Sequence, residues 1–564
     1  MTSKNDEIAQ ILLQFEDGDS RKYIMRDETY QVEKSGFLKS SPKPVEPVEY
    51  ISGGEEIFIV SDLHICSGRN NAGVYKGTEN FFSDDSFKRF LEFADKKKKT
   101  DKGILIINGD VFDFLRVVEY PGRVRKIRLA KRFKQWLKGK PIKPSEPPSE
   151  EYVMSVYREW SNILTYIGID KSPEDLKSSI SSKEKKYGLR TDDFKSVWKL
   201  DIIKKGHPVF FESLSAWIEK GNKIIIIKGN HDAEWYWPGV RNYFRFLLAN
   251  NISTLKKSDI KSVLTDIVLP NISFFDDAVV IDKDFYAEHG HRYDKFTVIL
   301  GKPVLEKNTK ELNLPFGSFF NRYLINRVEL YYPYLDNVRP TANVLPMLLR
   351  DNFPLGLKIL FHHIPYTIYI ILMGNWRYIR YMFNRVFWFA FFVVIPLAAV
   401  VYLNADILWN LYLRYFGDSK ATTSLLSFLR DNLLINNLKS FGLILLAYML
   451  SRIVGWFQIS EPDTLNGPAR KIMNGTNYRI STMGHTHNPG EYIFKNNQRF
   501  YNTGTWVPVI ETSTADLRED KTYTFLHLVR DKEGKLQPAN EGLIQRWTDE
   551  AGRADSQILM ERKQ

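Results

Sequence analysis

The chain is predicted to be α/β, and three observations carry that expectation. Short, wholly apolar runs recur at 57–60 (IFIV), in GILIINGDVFDF (103–114) and in KIIIIKGNHDAEW (223–235). Each run ends in a cluster of Gly, Asp, Asn, Ser or His. Amphipathic stretches at 85–97 and 210–220 precede the second and third runs as helices. Four or five apolar residues without alternation are what a strand buried on both faces requires, and such strands lie in sheets covered by helices. Ligands of such sheets gather beyond the carboxyl ends of the strands, where the polar clusters fall.

Taken in order, residues 1–50 are polar with a Pro-rich end (SPKPVEP, 41–47) and read as an N-terminal segment and linker. The first part of the core is expected over 51–300, interrupted by an insertion at 116–205. RVRKIRLAKRFKQWLKGK (123–140) places Val124, Ile127, Ala130, Phe133 and Leu137 on one helical stripe. A solvated helix covering the core fits this pattern. So does a basic helix carrying Trp136 to a membrane surface or a phosphate-bearing ligand.

Residues 301–470 differ in kind. VFWFAFFVVIPLAAVVYL (386–403) is 18 residues without a charge, long enough to span a bilayer. Pro396 would kink such a helix without forbidding it. A second stretch, 441–457, is interrupted by Arg452. Trp376, Tyr378, Tyr381, Tyr402, Trp409, Tyr412 and Tyr415 are distributed like interfacial belts. The segment is therefore either a buried helical subdomain or a hairpin that spans or dips into a membrane. Arg377, Arg380 and Arg385 before it, with Arg452, Arg470 and Lys471 within or after it, put the rest of the chain on the cytoplasmic side. The core resumes over 471–535, and 536–564 reads as a polar C-terminal tail.

At 564 residues the chain can hold two to four domains, and its net charge of +12 favours anionic partners. The single cysteine, Cys66, excludes an internal disulfide and fits a reducing compartment. The first 19 residues lack the apolar core of a signal peptide.

The chemistry is concentrated in five short motifs that hold six of the ten histidines. They are Asp62-Leu63-His64, Gly109-Asp110-Val111-Phe112-Asp113, Gly229-Asn230-His231-Asp232, His289-Gly290-His291 and Gly484-His485-Thr486-His487. Residues i and i+2 of an extended chain point the same way, so Asp62 and His64 can converge on one point. In this order the motifs resemble the signature of the calcineurin-like metallophosphoesterase superfamily. The resemblance covers roughly residues 55–115, 205–300 and 475–530, and FYNTGTWVP (500–508) is similar to the family's closing strand.

The resemblance implies a metallophosphoesterase β-sandwich flanked by helices, with two divalent metal ions at its strand ends. By that likeness Asp62, His64 and His487 hold the first ion, Asn230, His289 and His485 hold the second, and Asp110 bridges them. Mn²⁺ is expected first, with Fe²⁺ and Zn²⁺ also compatible with a mixed oxygen and nitrogen ligand set. Two such ions would bind a phosphate and lower the pKa of a bridging water. His231 would bind the phosphate or protonate the leaving oxygen. Asp113 and Asp232 are expected to orient histidines. His291 and Asp294 either lie behind the ligands, touch substrate, or are structural. Cys66 reads as a small loop residue, and His207, His362, His363 and His527 as structural or exposed.

Three functions compete. One is a membrane-associated enzyme similar to the UDP-2,3-diacylglucosamine hydrolases, cleaving a pyrophosphate on a lipid-linked or nucleotide-sugar substrate. His231 stands where the classical members carry Arg, and the insertions here are longer. The second is a metal-dependent DNA nuclease of the same superfamily, which the basic charge would suit. The third is a membrane-anchored scaffold without catalysis, for which a complete ligand set has no physical use. The oligomeric state is left open.

Overall fold

The apolar runs are parallel strands in the structure, a computed structural model. It describes residues 4–18, 32–34, 40–42, 46–70, 73–76, 78–121, 149–294, 296–305, 307–329, 338–339, 344–363, 366–367, 369, 464–494, 497–508, 510–511, 516–517, 521–548 and 553–555. Helix α1 (Lys4–Gly18) is followed by β1 (Val48–Tyr50), β2 (Glu56–Val60), α2 (Asp84–Lys97) and β3 (Gly103–Asn108). Helices α3 (Glu150–Thr165), α4 (Asp193–Gly206) and α5 (Pro208–Glu219) lead to β4 (Lys223–Ile227), α6 (Pro238–Lys256) and β5 (Ile272–Phe275). Then come β6 (Ala278–Ile281), β7 (Phe285–Glu288), β8 (Ile480–Met483), β9 (Gly490–Ile493) and β10 (Arg499–Asn502). The last strands are β11 (Thr524–Arg530), β12 (Leu536–Pro538), β13 (Gln545–Thr548) and β14 (Arg553–Asp555).

Two mixed sheets result. The first runs β5-β4-β3-β2-β11-β13-β14, with β12 also on β11, and its β2 to β5 are mutually parallel. The second runs β9-β10-β8-β7-β6-β1, with β7, β8 and β10 parallel. Side chains alternate across a strand, and here both faces are apolar for different reasons. Ile57, Ile59, Ile104, Ile106, Ile225 and Ile227 share one core with Val279, Ile281, Phe285 and Ala287 of the second sheet. Phe58, Val60, Leu105, Ile107, Ile224 and Ile226 share another with Phe87, Phe210, Phe211 and Phe244 of the helices. The unbroken runs of the sequence are thus strands packed between a sheet and a helical layer.

Both chain ends differ from expectation. Residues 1–50 are more than a segment and linker: Ile8 and Leu12 of α1 are buried in the main core. Glu16 of the same helix accepts from Arg241 Nη2 at 2.8 Å and also pairs with Arg245. Val48–Tyr50 edges the second sheet in parallel with β6. The expected tail begins inside the fold, since β12 to β14 extend the first sheet and Trp547 is buried against Phe90 and Phe93. Alternation of Gln545 and Trp547 inward explains it, in a strand too short to stand out among polar neighbours.

The basic stripe at 123–140 and both apolar stretches, 386–403 and 441–457, lie outside the described residues, as do the aromatic residues around the apolar pair. Among the described residues no helix is long and apolar enough to cross a membrane. From 149 onward the region expected as a basic insertion contributes Trp160, Leu164, Val197 and Ile203 to the main core.

Candidate metal centre

Each motif follows a strand. Asp62 and His64 leave β2, Asp110 and Asp113 leave β3, Asn230 and His231 leave β4, His289 leaves β7, and His485 and His487 leave β8. Because β2, β3 and β4 are parallel within one sheet and β7 and β8 within the other, their carboxyl ends meet at one edge of the sandwich. Three groups of ligand atoms form there, each within 4.8 Å: Asp62 with His64 and His487, Asp110 with His289 and His485, and His64 with Asp110 and His231. Asp110 belongs to two of them.

Three of the spacings suit ligands around a cation, while His64 Nε2 lies farther off, 3.8 Å from Asp62 Oδ1. Donors bound at about 2.1 Å and separated by 90–110° stand roughly 3.0–3.4 Å apart. His64 Nε2 lies 3.0 Å from His487 Nε2, His487 Nε2 3.3 Å from Asp62 Oδ1, and His289 Nε2 3.0 Å from Asp110 Oδ2. Each carboxylate commits one oxygen to the backbone and presents the other to the imidazoles. The His485 amide donates to Asp62 Oδ2 at 3.0 Å, and the His231 amide donates to Asp110 Oδ1 at 2.8 Å. Asp62 Oδ1 and Asn230 Oδ1 are buried and accept no hydrogen bond among the described residues. Such atoms are costly unless something positive meets them, so these buried His and Asp groups suit a metal ion.

Electrostatics points the same way. Burial pulls the His289 pKa down, but the carboxylates of Asp110 and Asp62 outweigh it and hold the ring up at about 9. Burial likewise opposes the charged form of His64, yet Asp113 and Asp62 raise it well above the usual imidazole value. Burial raises the Asp110 carboxyl, and the charges of His289 and His231 more than reverse that, holding it well below its usual range. Two buried carboxylates demand positive charge, from protons on imidazoles or from a cation.

Local backbone is bent to make this convergence. Asp62, His64, Asp110, His485 and His487 have φ of 54°, 47°, 53°, 69° and 52°. The left-handed region costs a non-glycine residue on the order of 1 kcal/mol or more, and it persists where surrounding contacts enforce it. The glycine that opens three motifs supplies room for a ligand from another. A Cβ on Gly109 would stand 2.3 Å from His289 Nδ1, one on Gly229 2.1 Å from Asp110 Oδ1, and one on Gly484 2.4 Å from Asp62 Oδ2. Gly-Asp and Gly-Asn, which taken alone read as turns, are here the places where motifs interlock.

Around the ligands, Asp113 Oδ2 lies 2.8 Å from His231 Nδ1 and 3.9 Å from His64 Nδ1. Asp232 was expected to orient a histidine; its carboxylate instead accepts from the amides of Gly229 at 2.6 Å and Val111 at 2.9 Å, tying the β3 and β4 loops together. Burial, then the charge of Asp110, pushes its carboxyl up to about 7. His291 is buried, with its ring 5.5 Å from that of His289, and burial followed by the charges of His289 and His485 pushes its pKa well down. His485 Nε2 has Thr297 Oγ1 and Asp294 Oδ2 each at 3.3 Å. His289 Nδ1 is 2.9 Å from the Asn108 carbonyl.

Sequence reasoning passed over a second brace. Glu79 accepts from the amides of Cys66 at 3.1 Å and Gly68 at 2.5 Å, holding the loop that carries His64. His207 is fully buried between Glu79, 3.1 Å from Nε2, and Asp84, 2.9 Å from Nδ1. Glu79 sits in no motif, and His207, which braces it, is 128 positions away. His527 is likewise structural, stacked on Phe58 with Nε2 2.9 Å from Glu56.

Comparison of the chain with family models, with curated proteins and with solved structures yields no match. The resemblance to the metallophosphoesterases therefore rests on the five sequence motifs.

Proposed function

We propose that the chain is a dinuclear-metal phosphoesterase that hydrolyses a phosphodiester or pyrophosphate bond. The observation that carries this reading is Asp110, a buried carboxylate shared by ligand groups that contain His64 on one side and His289 with His485 on the other. Asp62, His64 and His487 would hold one ion, and Asn230, His289 and His485 the other, with Asp110 between. When bound, two divalent ions supply Lewis acidity toward a phosphoryl oxygen and a water acidic enough to attack near neutral pH.

The protein's own part is orientation and proton transfer. His231 turns Nδ1 to Asp113 at 2.8 Å, which leaves Nε2 for substrate. Among the groups at the site His231 and His487 have the most exposed side chains, 19% and 14%, so the open side of the cluster is theirs. A protonated Nε2 there would donate to the leaving oxygen as the ester bond breaks. Asp113 holds the ring in the required tautomer and stabilises its positive charge.

For the substrate we infer a lipid-linked or nucleotide-sugar phosphate at a membrane. Support comes from the sequence: the apolar stretches fall between His289 and His485, so the segment that carries them is rooted at the cleft. The test has two arms. Purified protein should contain two metal ions per chain and hydrolyse bis(p-nitrophenyl) phosphate with Mn²⁺ but not with chelator; inactivity of the fully metal-loaded protein would overturn the reaction class. On cell fractionation the chain should require detergent for release, and full recovery in the soluble fraction at low salt would overturn the membrane reading. Strong, salt-sensitive cleavage of DNA would transfer the substrate to nucleic acid.

A further inference from the structure

The segment that follows β7 closes one side of the candidate centre. Its residues Val298, Ile299, Leu300, Leu312 and Leu314 form a cluster with Leu115 and Ala233, each two residues beyond Asp113 or His231. Asn326 Nδ2 donates to the Leu115 carbonyl at 2.7 Å, and Glu329 makes a buried ion pair with Arg116. The segment is thus fastened to the two loops that carry the His231–Asp113 pair.

Asn321 lies in this segment, at the start of a π-helical turn, Asn321–Ile325, between two α-helical turns, Phe316–Phe320 and Asn326–Glu329. Such turns are uncommon and are frequent at functional sites. Asn321 is 6% exposed, and its Nδ2 lies 3.4 Å from His231 Nδ1. That nitrogen is already engaged by the Asp113 carboxylate at 2.8 Å, an acceptor that needs the ring proton, so the amide of Asn321 finds no lone pair there. Asn321 Oδ1 is buried and accepts from no donor among the described residues. A buried N–H left without an acceptor is costly, and an acceptor oxygen on a ligand would recover the Nδ2 side of that cost.

We propose that Asn321 is a substrate-binding residue, delivered by the segment beyond β7, whose amide donates to a phosphoryl oxygen of the substrate beside His231. The proposal rests on the phosphoesterase reading and adds to it a contact that the five motifs do not supply. A carboxamide is suited to the task because it donates to an anionic oxygen without adding charge to a site that already gathers two cations and several imidazoles. It also gives the segment a direct part in recognition, since only a substrate whose phosphate reaches past the metals to this wall engages it.

The test uses the full chain, bis(p-nitrophenyl) phosphate as substrate and inorganic phosphate as competitive inhibitor. A hydrogen bond to a charged group is worth about 1.5–3 kcal/mol, so Asn321→Ala should raise both KM and the phosphate inhibition constant about 10- to 100-fold. Metal content should stay at that of the wild type. Asn321→Asp, equal in size but unable to donate when ionised, should weaken phosphate binding at least as much and keeps the test open if the alanine variant folds poorly. An unchanged phosphate inhibition constant in both variants would overturn the proposal. So would a fall in kcat alone with a shifted pH profile, which would mean that Asn321 acts only through His231. Two metals and normal hydrolysis in the wild type with unaffected variants would leave the phosphoesterase reading standing and remove this contact; a wild type without metal would remove both.

Discussion

The two ligand groups are built alike and sealed differently. Of Asp62, His64 and His487, with side-chain exposures of 0%, 6% and 14%, His487 stands at the mouth. Asp110, His289 and His485 are closed in at 1%, 0% and 4%. The inner group is held by fixed protein atoms: the Asn108 carbonyl on His289, and Thr297 and Asp294 on His485. The outer group depends on a loop that Glu79 pins by two backbone amides. On the proposed reading, the inner group would serve architecture as well as chemistry, while His487 and His231, the more exposed side chains, would meet the substrate.

The most severe way to break this arrangement is to remove Asp110, which belongs to the inner group and also stands with His64 and His231. Asp110→Ala should strip both metals and cut turnover on the order of 10⁴-fold or more, as losses within a catalytic unit do. Elemental analysis that still finds two ions per chain would sink the ligand assignment. Next in size, His231→Ala should keep both ions and lose about 10²–10⁴ in rate, the usual reach of a general acid. Metal loss in that variant would make His231 a ligand instead of a proton donor.

A direct contrast of the groups should give a smaller effect. His289→Ala opens a cavity in a fully buried position and should cost about 3–5 kcal/mol of folding stability along with the inner ion. His487→Ala, at the mouth, should leave unfolding free energy within about 1 kcal/mol of the wild type. Its metal affinity should fall at least as far as the 10–100-fold that follows loss of an outer partner. Equal stability losses measured by denaturant unfolding would erase the distinction drawn here.

How much of this was legible follows from what each signal depends on. The strands at 57–60, 103–108 and 223–227 and the helices at 85–97 and 210–220 were readable because each imposes a local period or a local apolar run. The candidate ligands were readable through the resemblance that five short motifs carry, each motif a local feature at the end of a strand. Helix α4 was not, since it is enclosed almost all round and buries Lys195 and Lys199 against Glu184 and Glu234, which erases any amphipathic stripe. The Glu79–His207–Asp84 brace and Asn321 were invisible for another reason. Each depends on a polar partner far off in the chain, 90 positions for Asn321 with His231 and 123 and 128 for His207 with Asp84 and Glu79, and no periodicity encodes that.

The brace gives the mildest test of the comparison. Burial alone would lower the His207 pKa, but the charges of Glu79 and Asp84 raise it to about 9. The folded state therefore binds the His207 proton more tightly than the unfolded chain, whose imidazole titrates near 6.5. Its contribution is whole below about pH 6.5 and is lost as pH rises through about 9, and the shift corresponds to at most roughly 3.5 kcal/mol. Unfolding free energies measured from pH 6 to pH 10 should fall across that window in the wild type. His207→Gln should lower stability at pH 6 and flatten the slope above it, because glutamine has no proton to lose. Since Glu79 holds the amides of Cys66 and Gly68, the same substitution should weaken metal binding at the outer group more than at the inner one. A slope undiminished in His207→Gln would place the titration elsewhere, at His289 first, which is also held at about 9, and equal weakening of both ions would mean that the brace serves the whole edge of the sandwich and not the mouth.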